Sequence, residues 1–252
     1  MTDYLLVHGA GQGSWSWGKV WGYLTAPSEH PPRLNSNPKI NKVITIDLPA
    51  HGADAGKDTS VVLAEECINV IVNSVETENM SDVVLVAHGS SAPLALKASL
   101  ELPRPPKRVI LVSGVIPRPG KSVISVLPFH LRFAFTLYQL ITSFIGKDMH
   151  LPKSLIYRYM CNGVDTKEII QTIGFYGALP TRMLKTSFDF SEDNFTFPVT
   201  YITLNEDKIF SSSEQSKMAG RIPNVDLVDL KGCHQSIIHQ ADTVAKLLAK
   251  YA

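Results

Sequence analysis

Two residues late in the chain have the types and positions to move a proton. Asp207 follows the apolar run Val199 to Leu204, and His234 follows Val225 to Leu230, so an acid and a histidine stand at the carboxyl ends of two successive expected strands. A carboxylate that accepts from one ring nitrogen fixes the histidine's tautomer and leaves the other nitrogen as a general base. Such a pair commonly serves a nucleophile held on a sharp strand-to-helix turn, where small flanking residues let the chain turn steeply. Val83 to Leu96 has that form, with an apolar strand, the turn Ala87-His88-Gly89-Ser90-Ser91 and a helical pattern. The position that should carry the hydroxyl is Gly89, which cannot form a covalent intermediate. Using Ser90 instead would put His88 where a small residue is needed, and using Ser91 would put Pro93 at the close-packed position. That Gly89 replaces a natural serine is a further reading left open by the sequence.

These groups need a scaffold that delivers them to one place, and the chain supplies alternating strand and helix patterns. Tyr4 to Val7 is a short apolar run entering His8-Gly9-Ala10-Gly11-Gln12-Gly13, whose glycines permit a tight loop before a helix from Trp15 to Leu24. Lys42 to Asp47 reads as a strand, Ser60 to Val75 as a helix, Asp82 to Ala87 as the strand before the turn, Ser90 to Leu102 as its helix and Arg108 to Ser113 as another strand. Ala26 to Asn41, rich in Pro, Ser and Asn, reads as an exposed connection, and Ala241 to Tyr251 as a closing helix. The alternation implies an α/β fold with a mainly parallel central sheet and helices on both faces. From Pro117 to Phe190 the strand rhythm stops and aromatic-rich helical segments take over. The expected division is a core of residues 1–116 and 191–252 with a helical cap, 117–190, inserted before the last two strands. Ligands of open α/β sheets sit beyond the strands' carboxyl ends, where a cap encloses a cavity. Tyr157, Met160 and Phe175 are the cap residues expected to face the ligand.

With 252 residues, 44% of them hydrophobic, the chain can bury one large core without disulfide or metal staples. Its 24 basic and 23 acidic side chains leave a formal charge of +1, which gives no broad case for nucleic acid or a membrane as partner. The expected partner is a small-molecule substrate. Cys67, Cys161 and Cys233 are widely spaced, which suggests neither a disulfide framework nor a zinc site and fits a reducing, cytoplasmic setting. The N-terminus lacks the basic n-region of a signal peptide. Val123 to Ile145 is apolar but interrupted by Pro128, His130 and Arg132, and reads as an amphipathic lid segment.

Taken together the motifs resemble the α/β-hydrolase family, and more narrowly its branch of plant-type methylesterases and hydroxynitrile lyases. The resemblance rests on Leu6-Val7-His8-Gly9-Ala10 running to Trp15-Ser16-Trp17, on Ile46-Asp47-Leu48-Pro49-Ala50-His51-Gly52, on the turn at Gly89, on Asn205-Glu206-Asp207-Lys208-Ile209-Phe210 and on Lys231-Gly232-Cys233-His234. It implies an α/β-hydrolase fold, His234 as general base with Asp207 as its partner, Gly89 at the nucleophile position, and an oxyanion hole from the backbone N–H groups of Ala10 and Ser90. The implied activity is enzymatic, without a cofactor, on a small apolar carbonyl compound such as an ester, lactone or ketone. Without a serine, proton-transfer chemistry gains weight: a lyase, a cyclase or isomerase, or a cofactor-free dioxygenase. A binding protein that kept the pocket is the alternative outside enzymes. Cyanohydrin cleavage is disfavoured, because the lysine and threonine that the branch's lyases carry are Gln235 and Gly9 here.

Other polar residues near these motifs have simpler expectations. His8 and His51 stand beside glycines after strands and should brace loops by hydrogen bonds. His88 should pack away from the cavity, Cys233 should be an inert thiol, and Trp15 and Trp17 should be buried against the sheet.

Overall fold

Strand β1 (Thr2–Val7) is buried along its whole length in the computed structural model of the chain, which describes residues 1–25, 39–191 and 195–252. Successive strand residues point to opposite faces, so a strand covered on both sides must be apolar on both. Accordingly Leu5 and Val7 join one core cluster and Tyr4 and Leu6 another. The chain continues through α1 (Gly18–Thr25), β2 (Ile40–Ile46), α2 (Ala64–Thr77), β3 (Asp82–His88), α3 (Ala92–Glu101) and β4 (Arg108–Val112). Cys67, Ile68, Ile71 and Val75 of α2 cover one sheet face, and Val20 and Leu24 of α1 cover the other.

Between β4 and the next strand of the main sheet come β5 (Lys121–Ser122), α4 (Phe129–Phe144), α5 (Lys153–Leu155), α6 (Thr166–Gly174), α7 (Thr181–Lys185) and β6 (Ser187–Phe188). The strands β5 and β6 pair antiparallel, Lys121 with Phe188 and Ser122 with Ser187, and so tie the two ends of this insert together. The core then resumes with β7 (Val199–Leu204), α8 (Ser212–Ala219), β8 (Asp226–Leu230), α9 (Ser236–His239) and α10 (Ala241–Leu248).

The main sheet is parallel throughout, in the order β2-β1-β3-β4-β7-β8. The winding direction reverses between β1 and β3, and a crevice opens at the carboxyl ends of the strands where such a reversal occurs. The loops bearing Ala10 and Gly89 flank that point.

Several element ends differ from the sequence expectation for local reasons. The first helix is split into a 3-10 turn, Ser14–Trp17, and α1. The second begins at Ala64 because Thr59–Val61 forms its own 3-10 turn and Glu66 accepts from the Leu63 N–H. The helix after Gly89 likewise opens with a 3-10 turn, Gly89–Ser91, before α3. Of the expected connection from Ala26 to Asn41, residues 26–38 lie outside the described residues, and Ile40 and Asn41 belong to β2.

Candidate active site

Gly89 follows β3 directly, at φ +56°. A residue with a side chain pays about 1–3 kcal/mol to occupy the left-handed region, and glycine does not. A Cβ built on Gly89 would lie 3.6 Å from His234 Nε2 and 3.8 Å from its Cε1, with no further atom within 4 Å. Those are ordinary contacts, so any side chain here would be aimed at the histidine.

His234 is placed by the loop after β8 and Asp207 by the loop after β7. The His234 Nδ1 lies 2.7 Å from Asp207 Oδ2, with both side chains buried. A carboxylate only accepts, so Nδ1 carries the proton and Nε2 turns its lone pair toward Gly89. Ser113 donates its hydroxyl to the same carboxylate oxygen at 2.7 Å, and the N–H groups of Ile209 and Phe210 donate to Oδ1 at 2.7 and 3.2 Å. Burial raises the Asp207 carboxyl, but the His234 charge and these hydrogen bonds outweigh it and hold the group below the ordinary carboxylate range.

The two expected oxyanion donors are side by side, with one change. The Ala10 N–H donates to Ser90 Oγ at 2.8 Å, so the Ser90 hydroxyl stands between that amide and the cavity. The Ser90 amide lies in the opening 3-10 turn, where leading N–H groups have no helical acceptor. Ser91 is buried and donates its hydroxyl to the His8 carbonyl at 2.5 Å, which occupies it structurally.

These groups meet in a cavity of about 170 Å³, whose polar side chains are Gln12, His88, Ser90, His234 and Gln235. The rest of its wall is apolar, including Val115, Leu127, Phe135, Met160, Leu179 and Phe210. A space of this size and polarity suits a small, mainly apolar ligand.

Of the three cap residues expected at the ligand, Met160 lines the cavity, and its carbonyl accepts from the Gln235 N–H at 3.0 Å. The expectation for Tyr157 and Phe175 is corrected. Tyr157 borders a separate groove with Arg158, Asn162 and Lys208, because the π-turn Ile156–Met160 carries Met160 inward and leaves Tyr157 47% exposed. Phe175 stacks on Trp15 at 5.3 Å and is 63% exposed. Trp17 is fully buried, whereas Trp15 is only partly so.

His88 lines the cavity rather than turning away from it. Its Nδ1 lies 3.1 Å from Gln12 Oε1 and its Nε2 3.0 Å from the His234 carbonyl, so it braces the loop that carries His234. Burial first, and then the charge of His234, push it down to about 3, so it stays neutral. Gln12 also accepts from the Gly9 N–H at 2.9 Å and donates to Gln235 Oε1 at 2.7 Å. Gln235 in turn donates to the Tyr176 hydroxyl. Gln12 and Ser113 are not marked by any motif, and Gln235 is marked only as the residue standing where the lyases carry a lysine. Their signal was weak: single polar residues in loops directly after apolar strands, the positions that also bear Asp207 and His234.

His8 accepts from the Leu48 N–H through Nε2 at 3.0 Å, and His51 contacts the Pro49 carbonyl through Nδ1 at 2.8 Å, both within loop-bracing networks. Burial raises the Cys233 thiol, which keeps it protonated.

A parallel sheet with an acid and a histidine after β7 and β8 and a sharp turn after β3 defines the α/β-hydrolase class of fold. The sequence matches the alpha/beta hydrolase family over residues 4–247, and the chain belongs to that family. No curated protein matches it. Among solved structures it is similar to an extracellular α/β-hydrolase from a Paenibacillus species described as sharing structural and functional homology with tobacco salicylic acid binding protein 2, at 18% identity and TM-score 0.85, covering 100% of this chain and 99% of that one. It is also similar to a methylesterase from Arabidopsis, at 16% identity and TM-score 0.75 over 99% and 98% of the two chains. A third, polyneuridine aldehyde esterase, aligns at 17% identity and TM-score 0.74 over 99% and 98%. At these identities the likeness is one of fold.

Proposed function

We propose that the protein is a cofactor-free enzyme for a small apolar carbonyl compound, with His234 acting directly as general base and no acyl-enzyme formed. The observation that carries this reading is the unobstructed space between Gly89 and His234 Nε2, where a side chain would make only ordinary contacts. With an ester or lactone, water in that space gives a proton to Nε2 and the resulting hydroxide adds to the carbonyl carbon. The oxyanion takes hydrogen bonds from the Ser90 hydroxyl and the Ser90 amide. Collapse then breaks the acyl–oxygen bond, and the leaving alkoxide recovers the proton from Nε2, giving acid and alcohol. With a substrate that fills the space and carries an acidic C–H beside its carbonyl, the same base takes that proton instead.

Asp207 holds the ring in the tautomer this requires and stabilises the imidazolium. The methylesterase and esterase among the structural neighbours support carbonyl chemistry at this pocket by analogy of fold. One observation favours a second reading, a non-catalytic binding protein: the Ala10 N–H is already spent on Ser90 Oγ. Against a panel of small nitrophenyl esters and lactones, His234→Ala should lower turnover about a hundredfold or more while product-analogue binding stays within a few-fold. Turnover unchanged by that substitution would contradict the proposal.

A further inference from the structure

Helix α4 is built inside out. A surface helix of a globular protein normally turns its apolar stripe to the core. Here thirteen of the sixteen residues of Phe129–Phe144 are exposed, and the side facing the body holds Phe135, Gln139 and Thr142. Phe129, Phe133, Leu137, Leu140 and Phe144 recur at spacings of four, four, three and four, which places them on one stripe opposite Phe135 and Thr142. They are 75%, 62%, 48%, 63% and 91% exposed.

The stretch of chain that carries this stripe is one-sided in charge. Residues 117–160 carry Arg118, Lys121, Arg132, Lys147, Lys153 and Arg158 against the single acid Asp148, a balance of +5 in a chain whose total is +1. All six cations are exposed, and none forms an ion pair among the described residues. Asp148 is engaged by the Thr59 hydroxyl at 2.9 Å. A second copy meeting this face would set like charges against each other, whereas an anionic amphiphile surface complements both the stripe and its surround. The helix also adjoins the active cavity through its other side, because Phe135 and the preceding Leu127 line it. Among the described residues no helix is long and apolar enough to cross a membrane, so α4 would lie on a surface.

We propose that α4 is an interfacial helix that docks the protein on anionic lipid surfaces, with the apolar stripe at the acyl boundary and the cations on and just after the helix, Arg132 and Lys147, among headgroup phosphates. The near-neutral total charge gave no hint of this, since the remainder of the chain offsets the cationic insert. The test is co-sedimentation of the full-length protein with vesicles of phosphatidylcholine containing phosphatidylglycerol, beside vesicles of phosphatidylcholine alone. The expected result is a pelleted fraction several-fold higher on the anionic vesicles that falls as salt shortens the Debye length below about 10 Å. Phe133→Asp with Phe144→Asp should return it to the vesicle-free level, and Lys147→Glu with Lys153→Glu should remove the preference for the anionic lipid. Thermal melts matching the unsubstituted protein would show that these exposed changes leave the fold intact. Failure of the unsubstituted protein to pellet above the vesicle-free control overturns the proposal. So does a dimer in sedimentation velocity that Phe144→Asp dissociates, without vesicle binding, because the stripe would then be a self-interface.

Discussion

Ser113 follows β4 at φ +44°, fully buried, and its hydroxyl holds the Asp207 oxygen that His234 uses. A hydrogen bond to a charged group contributes about 1.5–3 kcal/mol, so Ser113→Ala should slow turnover on the order of ten- to a hundredfold without touching substrate. The pH response separates positioning from simple destabilisation. Asp207 is held low in the folded state, so the stability it confers is present above its unfolded value and lost as pH falls through the folded one. Losing a donor raises the folded value, and thermal melts of Ser113→Ala against pH should show that loss beginning at higher pH. Ser90→Ala tests the oxyanion arrangement: turnover should fall if its hydroxyl donates to substrate, whereas a rise would mark the hydroxyl as a plug on the Ala10 amide. Asp207, His234 and Gly89 were legible because each stands in a loop after a strongly apolar run. Ser113 was not, because a serine before Gly114 reads equally as an ordinary turn.

The insert is joined to the core at points that are distant in sequence. Beyond the Met160–Gln235 bond, Glu168 of α6 pairs with Lys19 of α1 and lies 3.2 Å from His239 Nδ1 of α9. An ion pair of this exposure contributes at most about 1 kcal/mol. Glu168→Gln should therefore leave the global melt nearly unchanged while raising amide exchange across α6, as read by hydrogen-exchange mass spectrometry. Uniform exchange would mean that the insert is held elsewhere. Sequence periodicity identified the six main strands because each is a short apolar-rich run, buried on both faces in β1, β3, β4 and β7 and partly exposed in the edge strands β2 and β8, and it placed the insert by the loss of that period. It missed β5 and β6, which are two residues each, and the 3-10 turns that shift helix starts by several residues. It read α4 as part of an amphipathic lid segment without assigning its faces, because period alone does not say which side of a helix meets solvent.

At the scale of the whole molecule, two buried histidines stay neutral, His88 in the cavity wall and His8 in the loop after β1. Burial first, then a neighbouring histidine, pushes His8 and His88 each from 6.5 down to about 3. The unfolded chain binds these protons between about 6.5 and 3 and the folded one does not, so both contribute stability that is full above the unfolded value and lost as pH falls through that window. Acid unfolding followed by circular dichroism should begin below about pH 6.5, and replacement of His88 by a neutral residue of similar shape should flatten that dependence. The fold brings the His234–Asp207 pair to a residue that has no side chain, and the central claim of the proposed function is that its chemistry passes through no acyl-enzyme. Intact-protein mass spectrometry during exposure to 4-nitrophenyl acetate tests this directly, on the unsubstituted protein and on Gly89→Ser. The account predicts no adduct on the former and a single acetyl group on the latter, attached to the new serine 3.6 Å from the base at its Cβ. An acetyl group on the unsubstituted protein that sits at Ser90 or Ser91 and turns over with the ester would contradict it.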